Sequence, residues 1–205
     1  MAEAENPLAP IHDKVVKIRS SLYDFLRNVL TKMRPVLRSL VSFMSEVRKA
    51  AKDLAKAVGD QVVQNIITAG DQLLKVVTFV DKQVIETIKM ADKILAIIRK
   101  SNSAPEKAFK IVKTMTARLA KLFRTVLSKV FEVVTVLNPI DIALSLINTM
   151  KRMLQMVFKW VGQVGQIASG VKRAKNLIKK SVKQLKTEAK EVTKLVKDVN
   201  KLKPA

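Results

Sequence analysis

Residues 171–202 read VKRAKNLIKKSVKQLKTEAKEVTKLVKDVNKL. Apolar residues return every three or four positions along this stretch, as on one face of an α-helix, and no glycine or proline interrupts them. The apolar seam consists of Val171, Ala174, Ile178, Val182, Leu185, Ala189, Val192, Val196 and Val199. An amphipathic helix of this length needs a partner surface for its seam, so the stretch indicates a helical protein.

The composition of the whole chain agrees with a helical bundle. Of 205 residues, 48% are hydrophobic and 27% charged, which is too apolar for a disordered tail and too charged for a membrane-spanning bundle. The 5 glycines and 6 prolines are too few for the turns of a many-stranded sheet. We predict an all-α fold: a bundle of about five or six amphipathic helices, mostly antiparallel, with a long basic C-terminal helix.

Breaks in the pattern divide the chain into four ranges. These are an N-terminal helical region at 1–100, a linker at 101–105, a basic amphipathic helix with an apolar helical hairpin at 106–170, and the Lys-rich helix at 171–205. Ser103, within the linker, and Glu106 have the spacing of a capping box that starts the next helix.

Glycine and proline predict further helix ends. Gly59-Asp60 and Gly70-Asp71 each have a glycine that can close a helix and an aspartate that can cap the next. Pro35 predicts a kink or a restart, and Asn138-Pro139 predicts the turn of the apolar hairpin. The glycines at 162, 165 and 170 predict a loose segment before a last helix that begins near Val171.

An 11-residue-like repeat occupies residues 59–101. Asp60, Asp71, Asp81 and Asp92 recur at intervals of 11, 10 and 11 residues, and an apolar couple follows each. Because eleven residues complete about three helical turns, the couples form a nearly straight stripe. Such a stripe suits a helix lying on a lipid surface, a helix against a straight partner, or an ordinary core helix.

The residues from Phe79 to Asp92 resemble a short stretch of the plant rubber-particle and lipid-droplet protein family, in the sequence FVDKQV followed by Ile88 and Asp92. The resemblance implies lipid-surface coating. It spans 14 of the 205 residues, and we assign the chain to no family on it.

Residue counts argue against an enzyme. The chain has no cysteine and a single histidine, His12, so thiolate metal sites and most histidine-dependent active sites are excluded. Glu188 and Glu191 stand at helical spacing among lysines, as surface ion-pairing residues do. We expect no catalytic residue, no metal site and no cofactor.

Positive charge is the dominant functional signal. Lys and Arg number 39 against 17 Asp and Glu, a net charge of +22, and the excess concentrates in residues 101–130 and 171–205. The last helix carries a lysine ladder, a row at spacings of three and four residues: Lys172, Lys175, Lys179, Lys183, Lys186, Lys190, Lys194, Lys197 and Lys201. The preceding basic helix carries Lys107, Lys110, Lys113, Arg118, Lys121, Arg124 and Lys129. We predict that these two rows bind an anionic surface.

Aromatic and apolar residues beside the basic rows are candidates for insertion into lipid or for packing in the core. They are Phe109, Leu122, Phe123, Phe131, Phe158 and Trp160. Met150, Met153 and Met156 add soft side chains that suit either a repackable surface or core filling.

An anionic lipid or membrane surface is the leading partner. Lys outnumbers Arg 29 to 10, which suits a diffuse anionic field better than base-specific readout. Membrane perturbation is an extension of this prediction. A sequence-nonspecific nucleic-acid coat or compaction protein is the alternative, and a structural subunit on an acidic protein partner is the second alternative. Homo-oligomerisation stays open.

The sequence predicts an intracellular protein that is peripheral to a membrane or lipid surface. The first residues lack the basic and apolar regions of a secretory signal. The longest stretch without a charged residue, 160–171, has 12 residues, whereas a simple transmembrane helix needs about 20.

Overall fold

The computed structural model describes residues 8–101 and 105–202, and these residues are helical with no strand among them. The longer helices are α1 (Ala9–Phe25), α2 (Thr31–Lys49), α3 (Ala51–Val58), α4 (Asp60–Arg99), α5 (Pro105–Thr149) and α7 (Val164–Lys201). A single turn, α6 (Lys151–Leu154), follows α5. A π-helical segment, Leu26–Leu30, joins α1 to α2, and a 3-10 segment, Lys159–Gln163, leads into α7. The predicted all-α bundle of five or six helices is confirmed.

The chain forms two compact units, each built from separate stretches of sequence. The first unit takes its described residues from 1–26, 80–128 and 182–205, and the second takes them from 27–79 and 129–181. Each of the long helices α4, α5 and α7 is divided between the two units, with one part in the first and one part in the second. The four ranges drawn from the sequence are therefore chain segments and do not coincide with these units.

The first unit packs α1 with parts of α4, α5 and α7 around an apolar core. Ion pairs join α1 to two of its neighbours: Lys14 pairs with Asp198 on α7, and Arg19 pairs with Asp92 on α4. Buried side chains from each helix fill the interior, among them Leu22, Ile94, Leu119, Phe123 and Leu195.

In the second unit, four contacts join α2, α4, α5 and α7, so that each of these helices contacts two of the others. The contacts are Arg48 with Asp71 (α2–α4, 2.6 Å), Lys129 above the ring of Phe79 (α5–α4, 5.7 Å), Lys175 with Asp141 (α7–α5, 2.9 Å) and Val36 against Gly170 (α2–α7). Along α5 and α7 the contacts run in opposite directions, because Asn148 approaches Gly165 while Asp141 pairs with Lys175. These helices are antiparallel neighbours, as in an up-and-down bundle.

The two predicted glycine breaks have different outcomes. Gly59 ends α3 with a φ of 90°, a backbone conformation that L side chains rarely adopt. The break predicted at Gly70 is wrong, because Gly70 lies inside α4. A Cβ at position 70 would overlap the Sδ atom of Met44, so this glycine permits close approach of α2 and α4.

The hairpin turn predicted at Asn138-Pro139 is also wrong. Helix α5 continues through Pro139 to Thr149, although Pro139 cannot donate a hydrogen bond to the carbonyl of Thr135. Buried residues flank the proline at helical spacing, with Leu137 before it and Ile140 and Leu144 after it. Core packing on both sides therefore outweighs the local helix-breaking tendency.

Two further boundaries shift or fall outside the described residues. Helix α7 begins at Val164, seven residues before the predicted start near Val171, and Gly165 and Gly170 lie inside it against α5 and α2. Pro35 lies inside α2, shortly after the π-helical segment. The linker prediction for 101–105 and the capping box of Ser103 rest mainly on residues 102–104, which lie outside the described part of the chain.

One member of each apolar couple of the 11-residue-like repeat lies in the core, while Leu74 and Ile85 of the same couples are exposed. Val63, Leu73, Val84 and Ile94 supply the most buried member of each couple, at 2% exposure or less. Two aspartates of the repeat form ion pairs with the arginines of α1 and α2. The core-helix interpretation thus accounts for the stripe within each unit.

Candidate cationic binding surface

The lysine ladder of α7 lies on the outside of the protein. Eight of its nine lysines are exposed, and only Lys175 is partly buried, where it pairs with Asp141 at 2.9 Å. The apolar seam of the same helix is buried, with Ile178, Leu185 and Val192 at 1%, 2% and 2% exposure. Helix α7 therefore exposes its ammonium groups to solvent while its apolar seam stays packed in the core.

Two of the three acidic residues of α7, Glu191 and Asp198, form ion pairs with lysines. A hydrogen bond from Lys14 of α1 lowers the pKa of Asp198 below its ordinary value. The pKa of Glu191 is lowered chiefly by its hydrogen bond with Lys194, and the charges of Lys14 and Lys17 add to the effect. These two carboxylates therefore offset charges of α1 and of Lys194.

The basic row of α5 forms a second exposed surface, in the first unit. Its six predicted binding residues are all exposed: Lys107, Lys110, Lys113, Arg118, Lys121 and Arg124. Residues 107–131 contain no Asp or Glu, so no acidic residue of this stretch can offset the row. Lys129, at the end of the row, pairs with Glu132 at 2.5 Å.

The predicted apolar candidates divide between core and surface. Phe123 is fully buried, Phe109 and Leu122 are partly buried, and Phe131 is exposed. Phe158 and Trp160 belong to an aromatic cluster in the second unit, with Trp160 5.3 Å from Phe43 and 5.4 Å from Phe158 between ring centroids. Phe123 can therefore only pack, whereas Phe131 reaches the surface.

A long acid-free stretch surrounds the connection from α5 to α7. Residues 142–187 contain ten Lys and Arg and no Asp or Glu. In the second unit, an open groove of about 680 Å³ lies beside this connection, lined by Lys151, Gln166, Ser169, Arg173 and two glycines. Its cationic and hydroxyl donors can bind an anionic oxygen.

Sequence reasoning missed contributions from outside the two basic rows. Lys14 and Lys17 were unassigned, yet they lie beside the acidic residues of α7. The sequence signal for this arrangement was Glu191 and Asp198, whose ion-pair partners could come from another helix. Only the fold identifies that helix. The exposure of Ile142 and Val157 was missed as well.

Two other observations bear on the class of site. One helix within the described residues, Glu106–Thr149, is long and apolar enough to cross a membrane by length and composition, and 44% of its most apolar window is buried in the protein. A core helix of a soluble protein passes the same test, so this is weak evidence for a span.

His12 lies on the surface of α1, with Nδ1 3.1 Å from the Asp13 carboxylate.

No protein-family model matches the chain, and comparisons with curated proteins and with solved structures find no significant similarity.

Proposed function

We propose that the protein binds anionic lipid surfaces without catalysing a reaction, through the exposed cationic faces of α7 and α5. The observation that carries the proposal is the arrangement of charge on α7. Eight of its nine ladder lysines are exposed, while Glu191 and Asp198 take part in ion pairs with Lys194 and Lys14. A face of this kind repels itself and is stabilised by an anionic counter-surface.

The expected binding energy is large because many weak contributions add. Each Lys or Arg close to an anionic bilayer contributes about 1 kcal/mol at physiological ionic strength. Contact of all eight exposed ladder lysines with lipid would contribute about 8 kcal/mol, which corresponds to a dissociation constant of about 1 μM. Since the folded units keep their seams buried, this docking requires no opening of the bundle.

Side-chain chemistry favours lipid over nucleic acid. Arginine binds phosphate and guanine through a planar fork, whereas lysine is a compact charge that adapts to a fluid, diffuse anionic layer. Residues 171–202 contain ten Lys and one Arg, and the whole chain has 29 Lys to 10 Arg. A nonspecific DNA-binding coat also tolerates lysine, so DNA is the competitor that tests this preference.

The experiment is co-flotation with vesicles of phosphatidylserine and phosphatidylcholine. The variant Lys179→Glu/Lys183→Glu/Lys186→Glu changes three exposed residues of the ladder. The matched control Lys52→Glu/Lys75→Glu/Lys89→Glu changes three exposed lysines on α3 and α4 and lowers the net charge equally. We expect the affinity for the vesicles to fall at least tenfold further in the ladder variant than in the control. Circular dichroism should show unchanged helicity in both variants.

The control separates a binding face from a diffuse effect of net charge. Equal losses in the two variants would mean that the ladder has no special role. Undiminished flotation of the ladder variant, or no flotation of the wild-type protein at low salt, would contradict the proposal.

A further inference from the structure

Large apolar side chains are exposed most strongly at one place in the second unit. Among the described residues, four large hydrophobic side chains exceed half exposure: Met156 (87%), Ile142 (70%), Val157 (70%) and Met153 (55%). Three of them lie in the connection from α5 to α7, and the fourth lies on the last turns of α5. We name residues 150–160, which read MKRMLQMVFKW, the tip segment.

The tip segment is anchored to the core of its unit by Leu154 and Trp160. Leu154 is buried at 2% exposure, between the exposed Met153 and Met156. At the end of the segment, Trp160 packs edge-on against Phe43 of α2 and beside Phe158. The exposed methionines and Val157 are thus presented on a short turn with a buried anchor.

Part of the backbone of the tip segment is hydrogen-bonded locally. The carbonyl of Met150 accepts from the amides of Met153 and Leu154, and the carbonyl of Leu154 accepts from those of Val157 and Phe158 at 3.0 and 2.7 Å. Peptide groups that already have partners can enter an apolar layer at much lower cost than free ones. These local bonds lower the cost of placing the turn in the outer part of a bilayer.

The charges around the tip segment specify what can cover it. Lys151, Arg152 and Lys159 belong to the segment, and no acidic residue occurs between Asp141 and Glu188. Asp141 itself pairs with Lys175. Cations beside exposed apolar side chains match the boundary of an anionic bilayer, where phosphates lie next to acyl chains.

We infer that the tip segment is a membrane-insertion element: Met153, Met156 and Val157 enter the acyl layer of an anionic bilayer, while Lys151, Arg152 and Lys159 contact lipid phosphates. The inference rests on the proposed function and extends it from surface attraction to shallow insertion. Lys151 and Arg173 line the neighbouring groove, which gives lipid phosphates a further cationic contact. Methionine suits this role because its flexible thioether adapts to disordered chains.

The first test removes apolar surface without changing charge. The variant Met153→Gln/Met156→Gln/Val157→Thr alters exposed side chains only, and the control Val41→Thr/Leu74→Gln/Ile85→Gln alters three exposed apolar side chains elsewhere. Binding to phosphatidylserine vesicles is measured at low salt and at about 0.5 M salt, where the Debye length is about 4 Å. We expect wild type and control to stay bound at high salt, and the tip variant to bind at least tenfold more weakly there.

The second test reports insertion directly. Because the chain has no cysteine, Met156→Cys and the control Leu74→Cys each provide a unique site for an environment-sensitive fluorophore. Trp160 is the only tryptophan, so its fluorescence in the wild-type protein reports quenching by lipids brominated on their acyl chains. We expect a blue shift at position 156, no shift at position 74, and quenching of Trp160 on binding.

The outcomes distinguish this inference from the proposed function. No flotation at low salt would contradict the proposed function itself. Flotation at low salt with an unshifted probe at position 156, and with a tip variant equal to wild type, would overturn the insertion inference alone. A dimer without lipid that the tip variant dissociates would also overturn it, since the tip would then bind a second copy of the chain.

Discussion

At the scale of single residues, ion pairs between helices determine where negative charge is used. Lys14 lies next to both Asp198 and Glu191, so one lysine of α1 lowers the pKa of two carboxyl groups on α7. The sequence predicted the lysine ladder but could not predict this pairing, because Lys14 and Asp198 are 184 residues apart in the chain. Their proximity follows from the fold alone.

The pKa of Asp198 offers a titration test. In the folded protein its pKa is below the ordinary value, so the ion pair stabilises the fold above the unfolded pKa and the contribution disappears as pH falls through the folded pKa. We expect a carboxyl NMR titration to place the pKa of Asp198 below the ordinary aspartate value in the wild-type protein, and to give a higher pKa in Lys14→Gln. An unchanged midpoint in the variant would show that Lys14 is not its partner.

Gly59 is the residue at which a side chain should be least tolerated for conformational reasons. Its φ of 90° is the one positive φ among the described residues, and a Cβ there would meet no atom within 4 Å. Backbone strain alone should therefore make Gly59→Ala less stable by about 1–3 kcal/mol. Urea denaturation checks this, and a variant as stable as wild type would indicate another conformation at this junction.

At the scale of helices, periodicity predicted the elements well and their ends poorly. The period of the α7 seam and of the α4 stripe matches the spacing of their buried residues, because burial repeats with the helical period, but the sequence left open whether these faces meet the core or a lipid surface. Gly70 and Pro139 misled the prediction of helix ends. Close approach to Met44 explains Gly70, and buried neighbours on both sides of Pro139 keep α5 continuous. Both causes are tertiary and are absent from local sequence patterns.

Asn138 distinguishes a continuous α5 from a hairpin. As an exposed residue inside the helix, Asn138 should be replaceable by alanine with a gain of about 0.5 kcal/mol in the free energy of unfolding, from helix propensity. As a helix cap at a turn, it would instead lose about 1 kcal/mol. Thermal and urea denaturation of Asn138→Ala measure the sign, and a clear loss would contradict the continuous helix.

At the scale of the whole molecule, charge imbalance is the property that the fold leaves uncompensated. Even if every Asp and Glu neutralised one cation, the excess of 22 Lys and Arg would remain. Composition predicted this excess and its concentration in two stretches, while the structure added that the ladder is exposed and its seam buried. The exposed apolar tip segment could not be predicted, because its Met and Val residues equally fit a core helix.

The proposed preference of the protein for lipid over nucleic acid is tested directly by competition between vesicles and DNA. The purified protein is mixed at about 0.15 M salt, where the Debye length is about 8 Å, with phosphatidylserine vesicles and duplex DNA at equal phosphate concentration, and then floated on a density gradient. We predict that most of the protein rises with the vesicles and leaves the DNA behind. Protein that stays with the DNA at the bottom of the gradient would contradict the lipid-binding account and identify a nucleic-acid coat.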